Sequence, residues 1–294
     1  MPTATWSGSL SELGNLRWST STLSVVSQSI PMPPAEMRAL IGLTDEAHFC
    51  NRTGALVFPD LGEDLYRSVF DLGSGCGRLA RQLLQQSPRP ESYLGIDLHA
   101  GMVEWCRDNL TSVDPNFQFA HHDVHELGFN PSGSPLDRSQ PLPVRDASAS
   151  LIIAWSLFTH VLEDEIPYYL HECRRILRPG GLIRSTWFLF DKRYFPMMQA
   201  FQNSLYINPV NPTNAVIVDR EWLLATLSTV GLTVASSTPP EASGYPRGFQ
   251  WIIDLRHSKP GETPVIPQED QAPFGTKPPP IGGADPHMIG LGSS

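Results

Sequence analysis

The residues best suited to chemistry in this chain begin with an acid beside a glycine-rich turn. Asp71 ends a short apolar run and is followed by Gly73, Gly75 and Gly77 at every second position. Apolar residues at helical spacing then occupy residues 79–84. Glycines allow a sharp turn and a close approach of ligand to backbone, and a helix start offers unpaired N–H groups. The pattern predicts a strand, a turn and a helix that together hold a nucleotide-like ligand.

The glycine spacing narrows the ligand class. Dinucleotide sites use G-x-G-x-x-G, whereas Arg78 stands here where the third glycine would fall. The Asp71 carboxylate would repel a pyrophosphate but could accept hydrogen bonds from an ammonium group. The loop therefore suits an amino acid joined to a nucleoside, and the alternative interpretation is an ordinary strand-to-helix turn.

Two further acids end the next two strand-like runs. Asp97 closes residues 93–97, about 20 residues past the glycine loop, where an acid can bind ribose hydroxyls. Asp123 follows the alternating aromatic residues that begin at Phe117. In an open parallel sheet the ends of such strands meet at one edge, where ligands bind. The recurrence of acids is more specific than any single motif.

These motifs resemble those of class I S-adenosylmethionine-dependent methyltransferases, small-molecule type, as in methyltransferase types 11 and 25. The resemblance covers about residues 65–256. It implies an α/β Rossmann-like fold with a seven-stranded, mostly parallel sheet, helices on both faces and a C-terminal antiparallel hairpin. Residues 232–236 and 248–255 supply the two strands of that hairpin.

The resemblance also implies roles in binding S-adenosylmethionine and its product S-adenosylhomocysteine. Asp97 would grip the ribose hydroxyls, Asp123 the adenine amino group, and Arg52 the donor's carboxylate. Met102 would lie on the adenine, with core packing as the alternative. The implied cofactor residues are Asp71, Gly73, Ser74, Gly75, Cys76, Gly77, Arg78, Asp97, Leu98, Met102, Asp123, Val124, Ala154, Trp155 and Arg52.

A fourth apolar run, residues 149–155, leads into Ser156-Leu157-Phe158-Thr159-His160, which resembles a segment of many small-molecule methyltransferases. His160 follows the strand on the ligand edge, and imidazole titrates near neutral pH. We predict that His160 is the base for a hydroxyl acceptor, the alternative being that it caps or packs its own helix. A helix from residue 166 should carry arginines up to Arg178 in its last turns and stop at Pro179-Gly180-Gly181, before a strand over 182–190.

An insertion over residues 191–219 is predicted to cover the substrate. Its aromatic and methionine side chains suit an apolar organic acceptor, and an amphipathic helix packed on the sheet is the alternative. Glu163 and Asp164 are weaker candidates for acceptor contacts. The predicted substrate-binding residues are Trp155, Tyr168, Tyr194, Phe195 and Met198.

Other chemistries find less support in the sequence. His121 and His122 lie next to each other, and consecutive strand residues point to opposite faces, so no metal site is expected. The four cysteines are scattered without a C-x-x-C pair, and Cys76 is interpreted as a small residue that fits the loop rather than a reactive thiol.

Charge and composition limit the classes of partner that this chain could bind. The net charge of −9, with no lysine or arginine run longer than two, disfavours nucleic acid and hence an RNA methyltransferase. Neither a signal peptide nor an apolar run of membrane-spanning length is present, so a cytoplasmic enzyme with no membrane partner is expected. We predict a flexible segment over 1–30, a helical cap over 31–64, the methyltransferase domain over 65–256 and a Pro/Gly-rich tail over 257–294.

The working hypothesis is transfer of a methyl group from S-adenosylmethionine to a small organic acceptor, at oxygen. Nitrogen and carbon acceptors stay open, as does the oligomeric state. Two rival hypotheses come from other classes: a nicotinamide-dependent oxidoreductase, which the glycine spacing disfavours, and a non-catalytic relative that only binds.

Overall fold

The computed structural model describes residues 30–240 and 250–266. Most of the predicted N-terminal segment and of the Pro/Gly-rich tail lies outside these ranges, as do Gly248 and Phe249 of the predicted hairpin.

A nine-stranded sheet forms the centre of the described part of the chain. Its first five strands run parallel in the order β3-β2-β1-β4-β5, and β9 lies antiparallel between β5 and β8. This arrangement confirms the predicted Rossmann-like methyltransferase fold with its terminal antiparallel hairpin. The strands are β1 (Ser68–Leu72), β2 (Ser92–Asp97), β3 (Phe117–His121), β4 (Ala149–Ala154), β5 (Leu177–Phe190), β6 (Ser204–Tyr206), β7 (Val216–Asp219), β8 (Leu232–Thr238) and β9 (Trp251–His257).

Helices cover both faces of the sheet. Strand β4 shows why, because all six of its residues are buried and its side chains alternate between two separate cores. Ile152 joins the core beneath the fourth and fifth helices, and Leu151 joins the core beneath the second and third. The helices are α1 (Ala35–Leu40), α2 (Arg78–Gln85), α3 (Ala100–Asn109), α4 (Ile166–Ile176) and α5 (Arg220–Val230).

The junction between α4 and β5 corrects the predicted boundary. Helix α4 ends at Ile176, and Leu177 already pairs with Ala149 as the first residue of β5. Arg178 therefore lies in the strand instead of the last helical turn. A residue that precedes proline avoids the helical region, so Pro179 moves the helix end back from the Gly180-Gly181 pair.

The insertion contributes strands rather than the helix weighed as its alternative structure. Strand β7 pairs in parallel with the end of β5, from Phe188 opposite Ile217 to Phe190 opposite Asp219, and β6 pairs antiparallel with β7. All four residues of β7 are buried. Because β5 is long enough to extend past β9, its last residues have a free side for this pairing, and the sheet gains two strands over the predicted seven.

An N-terminal segment covers the outer side of α2. Arg81 of α2 is buried and donates hydrogen bonds to the backbone carbonyls of Ile30, Pro31 and Phe49. These bonds hold α1 and the following short turns beside the glycine loop. Among the helices described, none is both long and apolar enough to cross a membrane.

Candidate active site

The glycine turn after β1 has the backbone geometry that its sequence predicts. Gly73, Gly75 and Gly77 all adopt positive φ, at 83°, 53° and 78°. Gly77 is the most constrained, because a Cβ there would lie 2.5 Å from Leu110 Cδ1 and 2.9 Å from Cys106 Sγ. The turn can therefore pack this closely against α3 only with glycine at that position.

Asp97 at the end of β2 ties this turn to the neighbouring strand. Its Oδ2 accepts from the Gly75 N–H at 2.7 Å, and its Oδ1 accepts from the His99 N–H at 2.9 Å. Burial raises the pKa of this carboxyl, while the two backbone donors oppose the rise. Each oxygen keeps a second lone pair, so the side chain can accept further donors from a ligand.

Asp71 lies on β1, the strand next to β2, and is 1% exposed. Its Oδ2 accepts a 2.6 Å hydrogen bond from the Tyr93 hydroxyl, whereas its Oδ1 is buried with no hydrogen-bond partner. Burial raises the pKa of Asp71 to about 6, against the lowering influence of the Tyr93 hydrogen bond and the Arg78 charge. An unsatisfied buried carboxylate oxygen is costly and indicates a missing partner.

Two more buried polar atoms without partners lie in the same region: Ser74 Oγ in the turn and Arg38 Nε on α1. The C-terminal end of α1 lies against the turn, since Cγ2 of Ile41, the residue after the helix, lies 3.3 Å from the position of a Cβ on Gly75. The Arg38 charge also acts on the Cys76 thiol. The loop is thus bordered by an acceptor, a hydroxyl and a cation, which match the ammonium and carboxylate of an amino acid.

The structure does not place Arg52 in this group. Arg52 is exposed, and the backbone N–H of its neighbour Asn51 donates to Oε1 of Gln85, the last residue of α2. The glycine loop lies at the other end of that helix, so the structure places Arg52 away from it. Arg38 of α1 lies nearer the loop, since its charge acts on the Cys76 thiol.

Asp123 shares the sheet edge but not the predicted position. Strand β3 ends at His121, which pairs with Asp97, so Asp123 lies two residues past the strand end. Its carboxylate is exposed and accepts from Asn130 Nδ2 at 3.0 Å and from Ser134 Oγ at 3.4 Å. The acid belongs to a loop whose own contacts orient it.

The flanking positions of that edge are partly buried. His121 Nε2 donates to the Leu98 carbonyl at 2.8 Å, and Leu98, next to Asp97 in the chain, is half-buried. Val124 is buried and forms a bridge to Ser134.

Met102 and Cys76 pack as core residues. Both are 0% exposed and belong to one small cluster with Leu43 and Phe49 under the N-terminal segment. This placement supports the packing alternative for Met102 over contact with adenine. Burial raises the pKa of the Cys76 thiol to about 12, which leaves it protonated and unreactive at neutral pH.

The end of β4 contains a strained residue that the sequence reasoning missed. Ala154 is fully buried, and the Trp155 ring stacks on Phe58 with centroids 5.3 Å apart. Ser156 then adopts a φ of 56°, held by a bond from its N–H to Thr186 Oγ1 and one from its Oγ to Gln250 Oε1. Strain held by surrounding bonds often marks a functional position.

His160 lies where this segment meets the insertion. Its Nδ1 donates to the Thr213 carbonyl at 2.8 Å, and Thr213 Oγ1 donates in turn to Glu126 Oε1. In the neutral ring the Nδ1 proton places the lone pair on Nε2, the form that can accept a proton.

The predicted substrate residues do not all come together. The Tyr168 hydroxyl donates to the Gln140 carbonyl at 2.8 Å, and Tyr194 is half exposed under the Arg193 guanidinium. Phe195 packs edge-to-face on Phe190 at 5.3 Å, and Met198 is half-buried.

The two acids predicted to be weaker acceptor contacts already have protein partners. Glu163 accepts from the Asn203 side-chain amide, and Asp164 pairs with Arg138. Across residues 30–240 and 250–266, no three histidine, cysteine or acidic side chains group in a way that could hold a metal ion.

Comparison with known proteins gives evidence that is independent of the site's geometry. Residues 70–183 match a family model described as a methyltransferase domain. An uncharacterized methyltransferase of Emericella nidulans is 32% identical over 42% of this chain and 42% of that protein. A tRNA N(3)-methylcytidine methyltransferase of Drosophila melanogaster is 28% identical over 40% of this chain and 33% of that protein. The chain thus spans less than half the length of these curated relatives.

Among solved structures, the O-methyltransferase NcsB1 from neocarzinostatin biosynthesis, in complex with S-adenosylmethionine and a naphthoic acid, is 14% identical. The alignment covers 67% of this chain and 50% of that chain with a TM-score of 0.45, a likeness too low to inform on activity. The residues matched by the family model, 70–183, include most of β1, all of β2, β3 and β4 and the first part of β5 in the parallel sheet. Residues 70–183 of the chain therefore match a methyltransferase domain, within a sheet whose strand order is that of the Rossmann-like fold.

Proposed function

We propose that this enzyme binds S-adenosylmethionine at the glycine turn and methylates a small organic acceptor, at oxygen. The observation that carries the donor assignment is the set of buried groups without partners around that turn. Asp71 Oδ1 and Arg38 Nε are a buried acceptor and a buried donor of hydrogen bonds that no protein group satisfies, while Nη1 of Arg38 already donates to Glu46 and to the Pro33 carbonyl. An amino-acid ligand would satisfy both.

Each residue has a role that its geometry supports. Asp97 would accept from the ribose hydroxyls with its remaining lone pairs, while its bonds to Gly75 and His99 keep it in place. Asp71 would accept from the ammonium, and Arg38 would donate to the carboxylate. When bound, S-adenosylmethionine supplies a methyl group on a positively charged sulfur. Asp123 would contact the adenine amino group from the loop that follows β3.

The acceptor side rests on His160. The Thr213 carbonyl fixes the Nδ1 proton and so directs the basic Nε2 of the ring away from Thr213. We propose that Nε2 removes the proton of an acceptor hydroxyl, a step that commonly contributes about 10²–10⁴-fold to rate. Phe195 and Met198 of the insertion are the proposed apolar contacts. N- or C-methylation remains the alternative, and a neutral amine acceptor could attack through its lone pair before it loses a proton.

A nucleic-acid acceptor is the second candidate, because one relative is named as a tRNA methyltransferase. The net charge of −9 favours the small molecule, since a protein that neutralises many phosphates needs a basic surface.

Isothermal titration calorimetry tests the donor assignment directly. We expect S-adenosylmethionine and S-adenosylhomocysteine to bind with micromolar affinity, and NAD not to bind. Absence of binding by both adenosyl ligands at high micromolar concentration would overturn the proposal. Binding of NAD alone would favour an oxidoreductase.

Transfer of a labelled methyl group to a panel of phenols, carboxylic acids, amines and unmodified tRNA then tests the acceptor. Product formation with hydroxylated small molecules supports the proposal, and methylation of tRNA alone replaces it. Donor binding without transfer to any acceptor would favour a non-catalytic relative.

A further inference from the structure

Tyr93 of β2 shares a face of the sheet with the carboxylate proposed to bind the donor's ammonium. Tyr93 pairs with Val69, and Gly95 pairs with Asp71, so the tyrosine lies diagonally across from the acid. Gly95, the residue directly opposite Asp71, has no side chain to block this diagonal. The Tyr93 hydroxyl crosses it and reaches Asp71 Oδ2 at 2.6 Å.

The aromatic neighbours of Tyr93 hold that hydroxyl in place. Its ring stacks on Phe117 with centroids 4.9 Å apart and an interplanar angle of 13°, and it contacts Phe119 at 5.5 Å. The ring is 2% exposed. A tyrosine packed in this way cannot turn its hydroxyl to another acceptor without breaking the stack.

The bond makes the two oxygens of Asp71 inequivalent. Oδ2 is engaged by Tyr93, whereas Oδ1 is buried without a partner. We propose that Tyr93 is a positioning residue of the donor site, which holds the Asp71 carboxylate through Oδ2 and commits Oδ1 to the ammonium of S-adenosylmethionine. This inference rests on the proposed function.

The surroundings of Asp71 predict how donor binding depends on pH. Burial raises its pKa to about 6, the Tyr93 hydroxyl and the Arg78 guanidinium of α2 oppose that rise, and Asp97 adds to it. From α3, the Cys106 thiol faces Tyr93. The ammonium of a free amino acid keeps its proton through neutral pH. Donor binding should therefore weaken as the pH falls through about 6, where the Asp71 carboxylate takes up a proton.

The test measures affinity against pH for two ligands. S-adenosylhomocysteine carries the amino-acid part, and 5′-deoxy-5′-methylthioadenosine lacks it. Tyr93→Phe removes only the hydroxyl. The matched control is Tyr66→Phe, which removes another buried tyrosine hydroxyl, one that bonds to the Phe58 backbone and not to a carboxylate.

We expect Tyr93→Phe to weaken S-adenosylhomocysteine about tenfold at pH 7 and to move the acid limb of the profile to higher pH, because a hydrogen bond to a charged group is lost. The affinity for methylthioadenosine should not change, and Tyr66→Phe should leave both ligands unchanged. An equal loss for both ligands in Tyr93→Phe would show a merely structural role. An unshifted profile for S-adenosylhomocysteine would also overturn the inference.

Failure of the proposed function gives a different result, because the unmutated protein would then bind neither ligand. Should Tyr93→Phe not fold, Asp71→Asn provides the second test. This variant should lose the acid limb for S-adenosylhomocysteine and keep its affinity for methylthioadenosine. A persistent acid limb in Asp71→Asn would mean that Asp71, and hence Tyr93, does not control the pH dependence.

Discussion

The proposed donor half and the proposed acceptor half of the sheet edge differ in how their residues meet. On the donor side Gly75 and Asp97 bond across 22 residues, and Asp71 and Tyr93 across the same separation, so one strand–helix–strand unit contains both bonds. On the acceptor side His160 meets Thr213 across 53 residues, and Thr213 meets Glu126 across 87. The first half is built from neighbouring strands, the second from loops that only the whole fold brings together.

The two halves also differ in exposure. Asp71 is 1% exposed and Ser74 and Cys76 of the turn are buried, whereas the insertion leaves Met197 89% exposed and Phe201 77% exposed. A buried, preorganised donor half suits a ligand common to a whole enzyme class. An open, variable acceptor half suits a ligand that differs from one member to the next. Substitutions in each half should therefore separate donor binding from methyl transfer.

The largest effect is expected at His160. His160→Ala should lower the turnover of a hydroxylated acceptor by about 10²–10⁴-fold, because the proposed base is lost, with no change in the dissociation constant of S-adenosylhomocysteine. His125→Ala is the matched control, since the exposed His125 also bonds through Nδ1 to a backbone carbonyl, that of Pro131. Steady-state rates with calorimetry on both variants decide the matter. Equal rates in the two variants would assign His160 to packing.

Asp97→Ala should have the next largest effect, on the donor half alone. Loss of a charge-assisted partner for the ribose hydroxyls should weaken S-adenosylhomocysteine by roughly 1.5–3 kcal/mol, about 10- to 150-fold. Asp108→Ala, at an exposed position of α3, should leave the affinity unchanged. Isothermal titration calorimetry at a single pH measures both affinities. An unchanged affinity for S-adenosylhomocysteine in Asp97→Ala would mean that the donor site lies elsewhere.

The glycine turn offers a stability test of the same half. Gly77→Ala should lower the free energy of unfolding by about 3 kcal/mol, because the new Cβ adds a clash with Leu110 and Cys106 to an unfavourable positive φ. Gly180→Ala has nearly the same φ, 79°, and no atom within 4 Å of the new Cβ, so it should cost only about 1 kcal/mol. Urea denaturation measures both values. Equal costs would show that crowding at the turn does not matter.

Asp71→Asn should give the smallest effect and the opposite sign. The pKa of Asp71 is raised on folding, from 3.8 to about 6, so folding takes up a proton between these values and stability falls as the pH rises through this window. At pH 7 the charged carboxylate therefore destabilises the protein, and asparagine should raise the free energy of unfolding by about 1–2 kcal/mol. At pH 4 the gain should vanish. Urea denaturation at both pH values checks the sign, and a loss of stability at pH 7 would contradict it.

The sequence alone predicted the order of the strands from β1 to β5 and the acids and glycines of the proposed donor half. Asp71, Asp97 and the alternating glycines could be recognised because each acid directly follows an apolar strand, and parallel strands end at one edge of the sheet. These are short-range patterns, so burial of consecutive residues and local backbone geometry were enough to define them.

Only the tertiary structure decided which distant residues join that site. Arg52 and Arg38 both lie in the predicted helical cap. The segment that carries Arg52 packs at the C-terminal end of α2, and the glycine turn lies at its N-terminal end. For an eight-residue helix these ends are about 12 Å apart. Tyr93 reads as a core aromatic residue until the strand register brings its hydroxyl to Asp71. The insertion likewise became sheet because β5 extends past β9 and leaves backbone groups to pair. Side-chain partners across strands depend on register and packing, which no local pattern encodes.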